Sequence, residues 1–348
     1  MNRKLAFTTL IAALAGAAAP QAFAQAANPV TLYGRIYLTV ENVQAKEGAT
    51  PVPRSTRMRD QSSLLGVRGE EDLGGGLKAF FQLETGFNPD QNSGTFAGRN
   101  SGVGLRGAWG SVLLGRWDTP FKQTQVGSVD PWSDLQMGDI TGAAIRQGDF
   151  SLRAANQIQY WSPVFANTQV KLMHVPNETR TAVANPSMLG GAITWKKGDA
   201  SLSYAYEKHD ELVDQAVSRD VEEEGHGVSG EYRLGSLKLS GQVGQYSRTG
   251  TTKQKSYQVG AQWFAGKHRF IATYSASKDG GATGAVQPEC DLAALGYRYD
   301  FSRRTFFIAS WARVQNDEGN LCNFGSGALT IANRQDPEGF SVGLRTVF

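Results

Sequence analysis

An all-β fold, a transmembrane antiparallel up-and-down barrel of about 16 strands, is what this sequence predicts. Three observations lead there: a secretion signal at the amino end, strand-period alternation without any long apolar helix, and connections that alternate between short and long.

The signal segment is 1–24. Met1-Asn2-Arg3-Lys4 is a basic start, Leu5 to Ala19 an apolar run, and Ala22-Phe23-Ala24 a small-x-small cleavage site before Gln25. The apolar run is shorter than the ~20 residues that a spanning helix needs, so export is expected rather than anchoring. Removing Arg3 and Lys4 takes the formal charge from +3 to +1. A balance so near zero argues against a dedicated nucleic-acid partner. No Pro- or Ser-rich linker divides the remainder, and 25–348 is expected to be one domain.

No later window holds ~18 consecutive apolar residues, and mean hydropathy is −0.35. Alternation reconciles this with a membrane location, because every second residue of a barrel strand faces water. Val30, Leu32, Ile36, Leu38 and Val40 alternate with Thr31, Tyr33, Arg35, Tyr37 and Thr39. The same period runs through Leu77 to Glu84, Ser201 to Glu207, Leu237 to Val243 and Tyr257 to Trp263, and through Phe340, Val342, Leu344 and Phe348 at the end. A two-sheet sandwich also alternates, but its inner face must be apolar. Here the inner residues are expected to be polar or Gly.

Short turns are expected at Glu71–Gly75, Ala108–Gly110, Lys197–Asp199, Gly235, Gly266 and Phe301–Arg303. Long loops are expected at 45–60, 118–150, 178–187, 211–225, 279–290 and 317–336, giving one rim of turns and one of loops. Tyr160-Trp161, Trp263-Phe264, Phe306-Phe307 and Trp311 fit interfacial aromatic girdles.

Val30-Thr31-Leu32-Tyr33-Gly34, the run Gly66-Val67-Arg68-Gly69-Glu70-Glu71-Asp72-Leu73-Gly74-Gly75-Gly76-Leu77-Lys78-Ala79, Leu114-Gly115-Arg116 and the closing Gly339 to Phe348 together resemble the general porins of Gram-negative bacteria, most closely the β-proteobacterial kind. The resemblance spans about residue 25 to 348. It implies a 16-stranded, homotrimeric barrel in the cell outer membrane, among lipid and lipopolysaccharide, that passes ions and small hydrophilic solutes by passive diffusion. It also implies an inward-folded third loop, here 118–150, that narrows the pore. Phe348 would then be the signal for the barrel-assembly machinery, and Gly98, Gly102 and Gly104 give weak support for close subunit packing.

By this resemblance the constriction loop supplies Asp130, Asp134 and Asp139, and the opposing basic wall supplies Arg35, Arg99 and Arg153. Simple parity agrees for Arg35 and Arg153, but places Arg99 outward with Val103 and Leu105. Where the family often has arginine, this chain has Leu64. Arg54, Arg57 and Arg59 are candidates to restore charge near the mouth. On the lipid face at mid-bilayer each arginine would cost roughly 2–4 kcal/mol, which favours inward orientations.

Two rival readings remain. A substrate-specific channel for an anionic or sugar solute would need a Lys/Arg ladder or aromatic rows, neither of which stands out. An enzyme is not expected: no GxSxG, HExxH or Cys-His zinc spacing occurs. No cofactor or metal is expected either. His174, His209, His226 and His268 read as surface or interface residues, and Glu222-Glu223-Glu224 as a solvated loop. Cys290 and Cys322 fall in neighbouring outer loops, where an oxidising compartment permits a disulfide if the Cα atoms come within ~7 Å.

Overall fold

The computed structural model describes residues 30–48, 50–127, 129–132, 136–142, 150–213, 216–251, 253–279, 289–317, 322–332 and 334–348. The signal segment 1–24 and Asp134 lie outside the described residues.

Among the described residues the chain forms a closed barrel of 16 antiparallel strands. These are β1 (Thr31–Lys46), β2 (Val52–Asp60 and Leu64–Gly74), β3 (Leu77–Asn88), β4 (Ser93–Thr95 and Ser101–Gly107), β5 (Gly110–Asp118), β6 (Arg153–Trp161), β7 (Thr168–Val175), β8 (Ser187–Lys197) and β9 (Ala200–Val213). There follow β10 (Ala216–Leu234), β11 (Leu237–Arg248), β12 (Gln254–Ala265), β13 (His268–Asp279), β14 (Cys290–Asp300), β15 (Thr305–Asn316) and β16 (Asp336–Val347). One short helix, α1 (Pro120–Gln125), opens the connection from β5 to β6. β1 and β16 close the sheet over a register running from Arg35↔Val347 to Lys46↔Asp336. Closure pairs every strand edge, which a hydrocarbon surrounding demands.

Alternation sets the faces. Leu32, Ile36 and Val40 on β1, Val259 and Trp263 on β12, and Phe340, Val342 and Leu344 on β16 are all exposed outward. Tyr37, Thr39 and Glu41 on β1 and Ser341 on β16 are buried inward. The six expected short turns all join adjacent strands. Two expected long loops are instead mostly strand. The connection 45–60 shrinks because β1 runs to Lys46 and β2 starts at Val52, while 211–225 is taken up by the ends of β9 and β10. Polar composition read as loop there, yet strands that rise beyond the bilayer need no apolar outer face.

β2 and β4 are each interrupted, and the interruption reverses their parity. Above the break in β2, Leu38 pairs with Asp60; below it, Arg35 pairs with Leu64. One extra residue has entered, and Ser62 takes φ +61° there. In β4, Gly86 pairs with Thr95 but Gln82 with Gly102, and Ala97 takes φ +52° between them.

The inner wall is not uniformly polar, contrary to expectation. Ile271, Leu292, Ala294, Phe306, Ile308, Ala312 and Val314, on β13 to β15, are inward and buried. They stay dry because Trp132 and Met137 of the constriction loop, with Cys322 and Phe324 of the β15–β16 connection, pack onto them. Cys290 and Cys322 form a disulfide at a Cα separation of 6.4 Å, tying that connection to the start of β14.

Candidate pore constriction

The described residues of the connection from β5 to β6, the candidate constriction loop, are fastened to the barrel wall at both ends and at Trp132. At the start, Thr119 caps α1 by accepting from Lys122 N, with Pro120 at the first helical position. Phe121 then packs with Phe150, at the loop's far end, and with Tyr246 of β11. Phe150 lies flat on His209, ring centroids 4.6 Å apart. His209 is buried, with Nε2 2.9 Å from Glu207 and Nδ1 3.2 Å from Glu223. So His209 is a lumenal brace, not a surface residue, and Glu223 is an inward strand residue, not part of a solvated loop. Gly225 gives Phe150 its seat: a Cβ there would lie 2.7 Å from the ring.

The tip is fastened by Trp132, whose Nε1 donates to Thr273 Oγ1 at 2.7 Å. A Cβ on Gly296 would lie 2.5 Å from the indole. Asp130 accepts from Trp132 N and Ile140 N, both at 3.0 Å, and from Gln258 Nε2 at 3.2 Å. Burial, and next the neighbouring Asp139 carboxylate, raise its pKa well above the usual carboxylate range. Asp130 therefore staples the loop to the wall rather than presenting charge to the lumen. Asp139 borders the open cavity but is itself buried, accepting from Thr141 N and Oγ1 and packed beneath Gly325.

The open space left between loop and wall is a cavity of about 720 Å³. Arg35, Arg99 and Arg153 all border it, as do Leu64, Lys122 and Lys171. Arg35 is held by Ser62, donating from Nε to the backbone O at 2.9 Å and from Nη2 to the hydroxyl. Arg99 Nε donates to Glu84 Oε1 at 2.6 Å, and Tyr33 OH to Glu84 Oε2 at 3.2 Å. Arg153 lies 2.9 Å from Asp118 and donates to Asn100 Oδ1 at 2.7 Å. Lys122 lies 3.3 Å from the same Asp118 oxygen. Burial pushes the Lys122 ammonium below its ordinary value, while Asp118 acts to hold it up. Among the described residues five cations thus border the cavity with three carboxylates, Glu84, Asp118 and Asp139.

Parity had put Arg99 on the outer face. The residues inserted around Ala97 turn it inward, which the amino-acid pattern did not reveal. Lys171 was missed altogether, although Gln169, Lys171 and Met173 share one face of β7 and mark it as lumenal. Arg57 also faces inward, on Glu41 at 2.9 Å, and donates to Gly327 O. Arg54 instead donates to Asn42 on the exposed side.

Chemically this arrangement can bias and orient, but not trap. A unit-charge pair ~4 Å apart interacts by about 4 kcal/mol at an effective dielectric of 20, and by less in open water. Ions that meet such a field are sorted by sign and pass on.

A family model described as Gram-negative porin matches residues 8–319. Outer membrane porin protein 32 of Delftia acidovorans is 30% identical over 357 residues, which takes in 98% of this chain and 99% of that protein. Major outer membrane protein P.IB of Neisseria meningitidis serogroup B is 29% identical over 304 residues, covering 83% and 89%. Of solved structures, an anion-selective porin from Comamonas acidovorans superposes with TM-score 0.74 at 26% identity, over 92% of this chain and 100% of that one. OmpT of Vibrio cholerae, at TM-score 0.70 and 16% identity, shares the fold.

Proposed function

The chain belongs to the Gram-negative porin family and is an integral outer-membrane channel for passive diffusion of small solutes; from there we propose that it favours anions, and that the preference is set where Arg35, Arg99, Lys122, Arg153 and Lys171 border the constriction. The observation that carries this reading is the imbalance, among the described residues, of five cations over three carboxylates around the open cavity. Most of the carboxylates are already engaged by those same cations, so the residual field is positive. A solved relative described as an anion-selective porin is in keeping with it.

Asp130 and Asp139 act in this reading as fasteners of the loop, and the disulfide as a fastener of the connection above it. Residues 1–24 direct export, Phe348 serves recognition by the assembly machinery, and three copies associate in the membrane. The trimer is tested by migration on a denaturing gel before and after heating.

The deciding experiment is the reversal potential of the refolded channel in a KCl gradient across a planar bilayer. More chloride than potassium current is expected, and Arg153→Gln moves the potential toward zero. A potassium preference in the unaltered channel refutes the reading.

A further inference from the structure

The constriction leaves a second group of arginines unused. Arg233 and Arg269 stack on one ring, Phe264, their guanidinium carbons 4.8 and 4.6 Å from its centroid. Arg298 and Arg345 share another, Phe306, at 3.7 and 5.4 Å. The register joins the two groups: Phe264 lies opposite Arg269, Arg269 opposite Arg298, and Phe306 opposite Arg345. The cluster sits at the short-turn rim, beside the turns at Gly235, Gly266 and Phe301. In this barrel that is the periplasmic mouth.

Like charges directly opposite each other on a ladder are destabilising, and here arginine faces arginine. The side-chain carboxylate of Asp300 accepts from Arg298 Nε at 2.6 Å and acts on Arg269 through space. Arg233 Nε donates to Gly235 O at 3.1 Å. Arg269 has no hydrogen bond or ion pair among the described residues, and its Nε is buried without an acceptor. Stacking on a ring offsets part of the cost through cation–π attraction. It also takes up a face of each guanidinium, leaving the in-plane N–H groups for hydrogen bonding to a solute.

We propose that this cluster is an anion-binding site at the periplasmic mouth, taking small polyvalent oxyanions such as di- and tricarboxylates. Two carboxylates on one solute can each dock on a planar guanidinium fork, a match that chloride cannot make. The cluster shares no residue with those bordering the constriction cavity. The site therefore stands whichever ion the constriction prefers.

Citrate block of KCl current through the refolded full chain in planar bilayers tests this. The unaltered channel is expected to be blocked by citrate at up to about ten millimolar. In Arg233→Gln/Arg269→Gln the half-blocking concentration rises by on the order of ten-fold. Arg269→Lys falls between, and the KCl reversal potential of the double variant stays near that of the unaltered channel. Should the double variant not refold, the exposed Arg233→Gln alone is expected to give about a threefold rise. Absence of block, or an unchanged half-blocking concentration in the refolded variants, overturns the proposal. So does loss of block in Arg35→Gln alone, which would place citrate at the constriction. Because the reversal potential is read in the same experiment, failure of this site and failure of the constriction reading are told apart.

Discussion

Two walls of the lumen, β1–β7 and β12–β15, solve the problem of facing inward in opposite ways. On the first, Arg35, Arg99, Arg153 and Lys171 surround open space and are held by Ser62, Glu84, Asp118 and Gln123 respectively. On the second, Ile271, Leu292, Ile308 and Val314 would be misplaced in a water-filled barrel, but the loop tip and the β15–β16 connection cover them. Strand period decides which residues point inward. What decides whether the inside is wet is where the loops land, and the apolar wall is the surface that fixes the landing place of the polar one's counterpart.

The strongest way to break this division is Trp132→Ala. Truncating a buried Trp costs about 3–5 kcal/mol, and here the loss falls on the attachment of the tip rather than on the barrel ladder. The variant is expected to refold with larger, noisier single-channel conductance, because the loop no longer holds its distance from Arg35 and Arg153. Unchanged conductance would mean the tip is held without the indole. Cys322→Ser acts next, on the second cover of the same wall. Loss of a disulfide costs typically 2–4 kcal/mol, expected as a lower unfolding temperature in detergent and a smaller conductance change than with Trp132→Ala.

The far end of the loop sharpens the contrast, since there the lock is polar. Removing His209 leaves Glu207 and Glu223 buried near each other and takes away the ring beneath Phe150. His209→Ala is expected to cost about 2–3 kcal/mol, chiefly through Glu207, since Glu223 keeps Arg248 at 3.5 Å, read as increased current fluctuation with the mean conductance moved less than by Trp132→Ala. Quiet traces would show that Phe121 and Tyr246 suffice to hold Phe150.

Much of this was legible in the amino-acid order. The barrel, its strand number, the short turns and the lumenal parity of Arg35 and Tyr37 follow from period-2 patterning and turn residues. Arg99 was not legible by parity, because three residues inserted around Ala97 reverse the face of β4 without any change in composition. Nor was the role of Asp130, since an aspartate that accepts from Trp132 N and Ile140 N reads, in sequence, like one that faces water. His209 escaped for a related reason: its two carboxylate partners come from β9 itself and from β10, a segment polar enough to pass for loop.

Leu64 offers the smallest and most local test of the wet wall. It lies opposite Arg35 in the register and borders the cavity, an apolar side chain beside charged ones. In Leu64→Arg the new guanidinium would join Arg35 and Arg99 near Glu84, adding a cation to the five described ones and strengthening the proposed anion preference. Repulsion from its neighbours offsets part of its effect, and screening at ~0.1 M salt limits its range to about 10 Å. The expected result is a modest further shift of the KCl reversal potential toward chloride, with little change in conductance. The shift should shrink as ionic strength rises. A shift of the same sign that does not shrink would point to a change in pore width, and no shift at 0.1 M salt would mean that passing ions do not approach the Leu64 side of the cavity.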